Sequence, residues 1–305
     1  MSRSVRVSVP ATSANLGPGF DALGLALGWY DVVEAELAEN GLDVRVTGAG
    51  AGEVPLDGDH LVVRAMRGTF ASLGVEVAGL RLACTNSIPH GRGLGSSAAA
   101  IVAGVLAARA LAGAVDDVDA ALALAAKIEG HPDNVAPCLL GGLTIAWSPS
   151  GRVRAVALDV HPDVRPVVCV PAESLSTETA RGLLPASVPH AAAARNAGRA
   201  ALLVEALTRR PDLLLDATED ELHQPYRAPA MPDTLTLMKD LRERGIAAVV
   251  SGAGPSVLAL TIGDQYVAKV PGWEVRALPV DRRGAGTTRS DGADGHDTVA
   301  YGNQG

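Results

Sequence analysis

Residues 89–100 have the sequence Pro89-His90-Gly91-Arg92-Gly93-Leu94-Gly95-Ser96-Ser97-Ala98-Ala99-Ala100. Three alternating glycines lead through two serine hydroxyls into an alanine-rich apolar run. Glycines accept positive φ angles and let a backbone approach a ligand closely, and a serine can cap the helix that follows. The first turn of such a helix presents unpaired N–H groups and the positive end of its dipole to an anion. The segment therefore predicts a phosphate-binding loop at a helix N-terminus.

This loop differs from two common nucleotide-binding motifs. It contains no lysine, which excludes a P-loop of the Gly-Lys-Ser type, and it is not part of a dinucleotide-binding unit with a later ribose-binding acid. Backbone amides, hydroxyls and a metal ion would have to neutralise the phosphate charge. The alternative is an ordinary glycine-rich turn with a serine cap, which the long apolar helix after the loop disfavours.

Three further segments accompany the loop. Residues 10–21 are PATSANLGPGFD, residues 129–137 are EGHPDNVAP and residues 251–256 are SGAGPS. With the loop, in this order, they resemble the GHMP kinases, which phosphorylate small hydroxyl compounds with ATP, and the resemblance covers nearly the whole chain. Within that family, the first two segments resemble the homoserine kinases.

Composition narrows the class of protein. The chain has 305 residues, 48% of them hydrophobic and only 3% aromatic, so the core must consist of Ala, Val and Leu. A net charge of −8 argues against nucleic acid and anionic membranes as partners. We find neither an apolar run of membrane-spanning length nor a signal-peptide pattern. The widely spaced Cys84, Cys138 and Cys169 predict reduced thiols, a cytoplasmic location and no zinc site.

The resemblance implies an α+β fold with two domains. These are an N-terminal mixed β/α domain over residues 1–155 with the phosphate loop, and a C-terminal ferredoxin-like α/β sandwich over residues 156–280, with the active site between them. Turn-forming residues cluster between positions 148 and 166, where one domain would pass into the other. Residues 281–305 contain almost no apolar side chains and predict a disordered tail.

Local patterns predict individual elements. Residues 3–9 alternate polar and apolar side chains, which predicts a strand ended by Pro10. A helix is expected over residues 97–111, and a second over residues 118–128, capped by Asp116 or Asp117 and delivering Glu129 at its end.

The ATP and metal sites are assigned through the resemblance. Mg²⁺ prefers oxygen ligands, and Glu129 together with Ser97 would supply them. The alternative for Glu129 is a solvated carboxylate at a helix terminus, and the resemblance favours the metal ligand. The expected ATP-binding residues form the loop itself: Pro89, His90, Gly91, Arg92, Gly93, Leu94, Gly95, Ser96, Ser97, Ala98 and Ala99.

Four scattered residues are joined only by the resemblance, which places them around an amino acid substrate. Asn15 and Asp21 would face the substrate, with Asp21 binding its ammonium group. Arg181 and Arg227 would bind its carboxylate through guanidinium forks. The alternative for each arginine is an ordinary surface residue.

The implied reaction is phosphorylation of the side-chain hydroxyl of L-homoserine by ATP, giving O-phospho-L-homoserine for threonine biosynthesis. Asn134 cannot accept a proton, so Asn134, with Thr177, would orient the hydroxyl, and Glu129 would serve catalysis through the metal. The competing hypothesis makes Asp133 a base, and His131 is interpreted as a hydrogen-bonding loop residue. Two alternatives to this function stay open: another GHMP kinase, for isoprenoid or sugar alcohols, and a non-catalytic nucleotide or amino acid sensor. A homodimer also stays open as the oligomeric state.

Overall fold

The computed structural model describes residues 4–290 and 296–301. The strands in this part of the chain are β1 Ser4–Ala14, β2 Leu23–Ala38, β3 Gly41–Gly48, β4 Gly79–Asn86, β5 Leu143–Trp147, β6 Arg154–Leu158, β7 Arg165–Pro171, β8 Ala247–Val250, β9 Val257–Thr261, β10 Trp273–Ala277, β11 Gly286–Ser290 and β12 His296–Ala300. The helices are α1 Leu61–Ser72, α2 Ser96–Leu111, α3 Val118–Glu129, α4 Pro132–Leu140, α5 Thr177–Gly182, α6 His190–Thr208, α7 Leu214–Ala217, α8 Gln224–Arg227 and α9 Pro232–Glu243.

Two sheets organise these elements, as the expected α+β architecture requires. The larger sheet has the order β12-β11-β1-β2-β4-β3, and the β5–β6 hairpin joins it at the start of β2. Its pairs are antiparallel except for β3 with β4. The smaller sheet is antiparallel with the order β10-β7-β9-β8. The chain passes from the larger to the smaller sheet between β6 and β7, a few residues after the predicted boundary.

Helix α2 lies at the centre of the larger core. Ala, Val, Leu and Ile fill its sequence, and it is buried on nearly every face, as expected for a helix that is apolar all round. Its small side chains let α1 approach closely: a Cβ added to Gly104 would lie 2.7 Å from both the Ala65 Cβ and the Val62 carbonyl oxygen. This packing fixes the helix whose N-terminus carries the phosphate loop.

Several local predictions are confirmed and others are wrong. Helices α2 and α3 begin and end within one residue of the predicted bounds, and the Asp117 carboxylate caps α3 by accepting from the Ala120 N–H at 2.9 Å. Strand β1 does not end at Pro10, because the register shifts between Pro10 and Ala11 and the strand continues to Ala14. Such an irregularity accommodates a residue that lacks an N–H. Helix α4 was not predicted.

The predicted disordered tail is wrong for residues 281–290 and 296–301. Strand β11 pairs antiparallel with β1, and β12 pairs with β11. The Asp281 carboxylate fixes the entry to these strands by accepting from the Gly284 N–H at 2.6 Å and the Arg283 N–H at 2.8 Å. Polar strands can complete a sheet whose core is provided by other elements, so low hydrophobicity did not decide the structure here. Residues 291–295 and 302–305, also part of that prediction, lie outside the described residues.

Among the helices in residues 4–290 and 296–301, none is both long and apolar enough to cross a membrane. The three cysteines of the sequence fall in this part of the chain, and all are buried and free.

The contact between α1 and α2 gives a stability prediction. We expect Gly104→Ala to lower the free energy of unfolding by about 1–3 kcal/mol, because the new methyl group overpacks the interface. Gly198→Ala is the matched control, since this glycine is also inside a helix, α6, and an added Cβ there meets no atom of the described residues within 4 Å. We expect it to be neutral or stabilising by up to about 1 kcal/mol. Urea denaturation of the two variants would contradict the packing model if both lost the same free energy.

Candidate active site

An open cleft of about 770 Å³ lies between the phosphate loop and the elements that follow β7. It brings together residues that are far apart in the sequence. Most of the predicted site residues line it: Asn15, Gly91, Gly93, Gly95, Ser96, Ser97, Glu129, Asn134, Thr177, Arg181 and Arg227. His131 and Asp133 line it as well.

The glycines of the phosphate loop are required by close backbone contacts. Gly93 and Gly95 have φ angles of 71° and 70°. A Cβ on Gly93 would lie 2.2 Å from the Ser251 carbonyl oxygen, and one on Gly95 would lie 1.9 Å from the Thr12 hydroxyl oxygen. The Ser251 hydroxyl donates to the Gly93 carbonyl at 2.7 Å. The segment at residues 251–256 therefore packs directly on the loop.

The N-terminus of α2 is free to receive an anion. Gly95 is its N-cap, so the predicted serine cap is wrong, and no side chain within the described chain caps the helix. The Ser97 hydroxyl instead donates to the Glu129 carboxylate at 2.7 Å. Burial raises the pKa of Glu129 above its usual value. The first-turn N–H groups and a pair of oxygen ligands thus lie side by side.

The remaining loop residues lie in several environments. His90, Ser96, Ser97 and Ala99 line a second, open cavity next to the cleft. Ala98 and Leu94 are buried. The Arg92 guanidinium donates to the carbonyl of His90 at 2.6 Å and also to that of Ala172, which ties the loop to the end of β7. Pro89 is half-buried.

Asn134 and Asp133 lie in the first turn of α4. The Thr12 hydroxyl donates to the Asn134 Oδ1 at 2.8 Å, so the Asn134 amide keeps its N–H groups for another acceptor. Asp133 is buried, and its Oδ1 has no hydrogen-bond partner within the described residues. Burial, reinforced by the nearby Asp21 carboxylate, raises the pKa of Asp133 to about 7. Burial also lowers the pKa of His131, the N-cap residue of α4.

Charged groups converge where Arg181 and Arg227 line the cleft. The Arg181 guanidinium donates to both Asp21 oxygens, at 2.7 and 3.3 Å. Arg227 is buried, and its Nε and Nη1 donate to the Ala180 and Gly252 carbonyls, each at 3.2 Å. Both guanidiniums lie within 6 Å of the Phe20 ring centroid. Two cations and one carboxylate therefore lie close together around Phe20.

Asn15 and Thr177 also line the cleft. The Asn15 amide donates to the Gly252 carbonyl at 2.8 Å and accepts from the Asp21 N–H at 3.0 Å, which fixes the loop that carries Asp21. Thr177 is the first residue of α5, whose N-cap Ser176 accepts from the Thr179 N–H. Because Thr177 and Arg181 are four residues apart, they share one face of that helix.

Comparison with known proteins gives the family. Residues 60–142 match the model of the GHMP kinases N terminal domain, and residues 192–270 match that of the GHMP kinases C terminal domain. The chain is 57% identical over 290 residues to a homoserine kinase of Streptomyces avermitilis. The aligned residues cover 92% of this chain and 95% of the relative.

The chain belongs to the homoserine kinases of the GHMP kinase family.

Solved structures agree with this membership. A crystal structure of a homoserine kinase from Cytophaga hutchinsonii superimposes with a TM-score of 0.83 at 29% identity, covering 93% of this chain and 97% of that one. A putative homoserine kinase from Listeria monocytogenes gives a TM-score of 0.74 at 28% identity, covering 94% and 99%. The predicted two-domain GHMP kinase fold is thereby confirmed.

Three residues that contact the predicted site residues of this GHMP kinase were not themselves predicted. Thr12, Phe20 and His223 touch the predicted residues Asn134, Arg181 and Arg227. Thr12 and Phe20 lie inside the segment that carried the resemblance, so proximity to Asn15 and Asp21 was an available signal. The sequence signal for His223 was weaker, namely a histidine one helical turn before Arg227.

The raised pKa of Asp133 gives a pH-dependent stability prediction. With a folded pKa of about 7 against an ordinary 3.8, the native kinase binds more protons than the unfolded chain between about pH 4 and 7. Its stability therefore falls as pH rises through that range, by at most about 4 kcal/mol from this group. We expect Asp133→Asn to remove this loss, so that its thermal midpoint relative to the unsubstituted protein rises from pH 5 to pH 8. A difference independent of pH would contradict the assignment.

Proposed function

We propose that the chain transfers the γ-phosphoryl group of ATP to the side-chain hydroxyl of L-homoserine, giving O-phospho-L-homoserine and ADP in threonine biosynthesis. The supporting observation is the layout of one cleft. The phosphate loop, Asn134, Arg181 and Arg227 all line it, and the Asp21 carboxylate accepts from Arg181 at its edge. A zwitterionic amino acid with a side-chain hydroxyl matches this set of groups. The names of the relatives support the same substrate.

The second cavity suits the nucleoside of ATP. It shares Ser96 and Ser97 with the cleft, so a phosphate chain leaving this cavity would pass over the loop. Its wall is mostly apolar, as a stacked base requires. The apolar residues are Val9, Val33, Val54, Pro55, Leu61, Val62, Ala99, Ala100 and Ala103.

Ser97 and Glu129 fit a magnesium ion. Both supply oxygen ligands, which Mg²⁺ prefers, and their oxygens lie 2.7 Å apart beside the free N-terminus of α2. Burial disfavours the charged form of Glu129, which a cation would restore. When bound with ATP, the ion neutralises phosphate charge. Within the described residues, no group of three or more His, Cys, Asp or Glu side chains forms a separate metal site.

Asn134 and Thr177 orient the acceptor hydroxyl in this proposal. The Asn134 Oδ1 is engaged by Thr12, so its amide N–H groups face the substrates as donors. The transition state of phosphoryl transfer is loose, and positioning with charge stabilisation supplies most of the catalysis. The hydroxyl proton then leaves to a phosphate oxygen or to water, without a dedicated carboxylate base.

The setting of the reaction is part of the proposal. Three buried free thiols fit a reducing compartment, and we place this biosynthetic step in the cytoplasm. The substrates are L-homoserine and ATP, with neither nucleic acid nor membrane as a partner. A homodimer stays a prediction from the sequence.

The function is tested by ADP release from the purified protein with Mg-ATP. We expect release with L-homoserine and little with D-homoserine, L-serine, mevalonate, galactose or no acceptor. Two ionic contacts at the α-carbon, together with a side chain of the length that brings its hydroxyl to Asn134, provide this selectivity. Release with mevalonate or galactose alone would overturn the substrate but keep the kinase, and no release with any acceptor would favour a sensor.

The role of Asp133 is tested by turnover. A general base contributes typically 10²- to 10⁴-fold to a rate, so Asp133→Asn would lower kcat by more than about 100-fold if this carboxylate were the base. We expect a loss of less than about tenfold at saturating L-homoserine, because the transfer needs no base. The pH profile of kcat between pH 5.5 and 8.5 provides the second readout, since only a base would produce an acid limb near pH 7 that the variant lacks.

A further inference from the structure

Arg227 has an incomplete set of partners inside the protein. Its side chain is only 1% exposed, and a guanidinium carries five N–H donors. The Nε hydrogen goes to Ala180, and one Nη1 hydrogen goes to Gly252. The second Nη1 hydrogen faces the Nδ1 of His223 at 3.1 Å. Within residues 4–290 and 296–301, these bonds leave the two Nη2 hydrogens for a ligand in the cleft that Arg227 lines.

The hydrogen bond to Arg227 decides the tautomer of His223. An arginine only donates, so the Nδ1 of His223 must accept with its lone pair. The proton of the neutral ring then resides on Nε2, which lies 2.9 Å from the Gly17 carbonyl and donates to it. Both ring nitrogens are thereby satisfied, one by the substrate-facing arginine and the other by the loop between β1 and β2.

His223 is itself held rigidly. Its side chain is completely buried and stacks on Phe20, with ring centroids 5.1 Å apart. The Asp220 carboxylate accepts from the N–H groups of His223 and Gln224, and it lies 3.6 Å from the His223 Nε2. Despite this carboxylate, the pKa of His223 is lowered, first by burial and also by Arg227. The ring is thus neutral, which keeps the Nδ1 lone pair available.

We propose that His223 is a positioning residue that orients the Arg227 guanidinium so that its Nη2 edge meets the carboxylate of the substrate. The inference rests on the proposed function. Without the Nδ1 acceptor, Nη1 loses one of its two partners and the guanidinium plane is free to turn about its remaining bonds. The carboxylate contact then weakens, while the phosphate loop and the ATP cavity, which His223 does not touch, stay unchanged.

The test compares three substitutions by steady-state kinetics. His223→Asn keeps an acceptor near the position of Nδ1, His223→Gln places one near the position of Nε2, and His223→Leu provides none. We expect His223→Leu and His223→Gln to raise KM for L-homoserine by about 10- to 100-fold, with KM for ATP unchanged and kcat within about threefold. His223→Asn should restore KM for L-homoserine to within about fivefold of the unsubstituted protein.

Other outcomes overturn the proposal. A purely structural role for His223 would raise both KM values together, or would make His223→Asn as impaired as His223→Leu. If His223→Leu does not fold, the Asn and Gln variants still decide, since equal KM values for L-homoserine in these two would contradict an Nδ1-specific role. Failure of the proposed function is distinguished from these results, because the unsubstituted protein would then show no turnover of L-homoserine.

Discussion

The close approach of three backbone segments at the N-terminus of α2 is the constraint on which the site depends. The Thr12 N–H donates to the Leu94 carbonyl at 3.1 Å, and the Gly252 N–H donates to the Ala14 carbonyl at 3.1 Å. Strand β1 is thereby joined to the phosphate loop and to the turn after β8. Only glycine fits at residue 93, because a side chain there would overlap this turn. The larger sheet, the smaller sheet and the phosphate loop consequently meet at one point.

An acidic protein must solve a charge problem when it binds an anion such as ATP. The net charge is −8, and the cleft itself contains the carboxylates of Glu129 and Asp133. Burial raises the pKa of both groups, which reduces the negative charge that they present. The positive end of α2 and the guanidiniums of Arg181 and Arg227 supply local attraction. Placement of a few groups, and not the overall charge, therefore determines which ligands the cleft accepts.

Predictions from the sequence were correct mainly where a structure depends on residues close together in the sequence, and wrong where it depends on residues far apart. The helix ending at Glu129 was predicted because its cap and period are local, and the family motifs identified residues that share one cleft. The strands after residue 285 were not predictable from composition, because β11 pairs with β1 at the other end of the chain and β12 then pairs with β11. The predicted serine cap was wrong because the helix begins one residue earlier, with Gly95 as its N-cap, and the Ser97 hydroxyl bonds to Glu129, 32 residues away. The ion pair between Asp21 and Arg181 could not be predicted either, because only the fold brings these two residues together.

The ion pair between Asp21 and Arg181 affects how a zwitterionic substrate would bind in the cleft. The Asp21 and Arg181 side chains are 39% and 31% exposed, and an ion pair at such exposure contributes about 0–1 kcal/mol. A substrate that carries an ammonium group and a carboxylate offers each partner an equivalent contact, so exchanging the pair for the substrate costs little free energy. Arg227 is different, because its buried guanidinium is fixed by carbonyls and by His223. In the proposed reaction, the buried arginine therefore provides the rigid carboxylate contact, and the exposed pair adapts to the remaining charges.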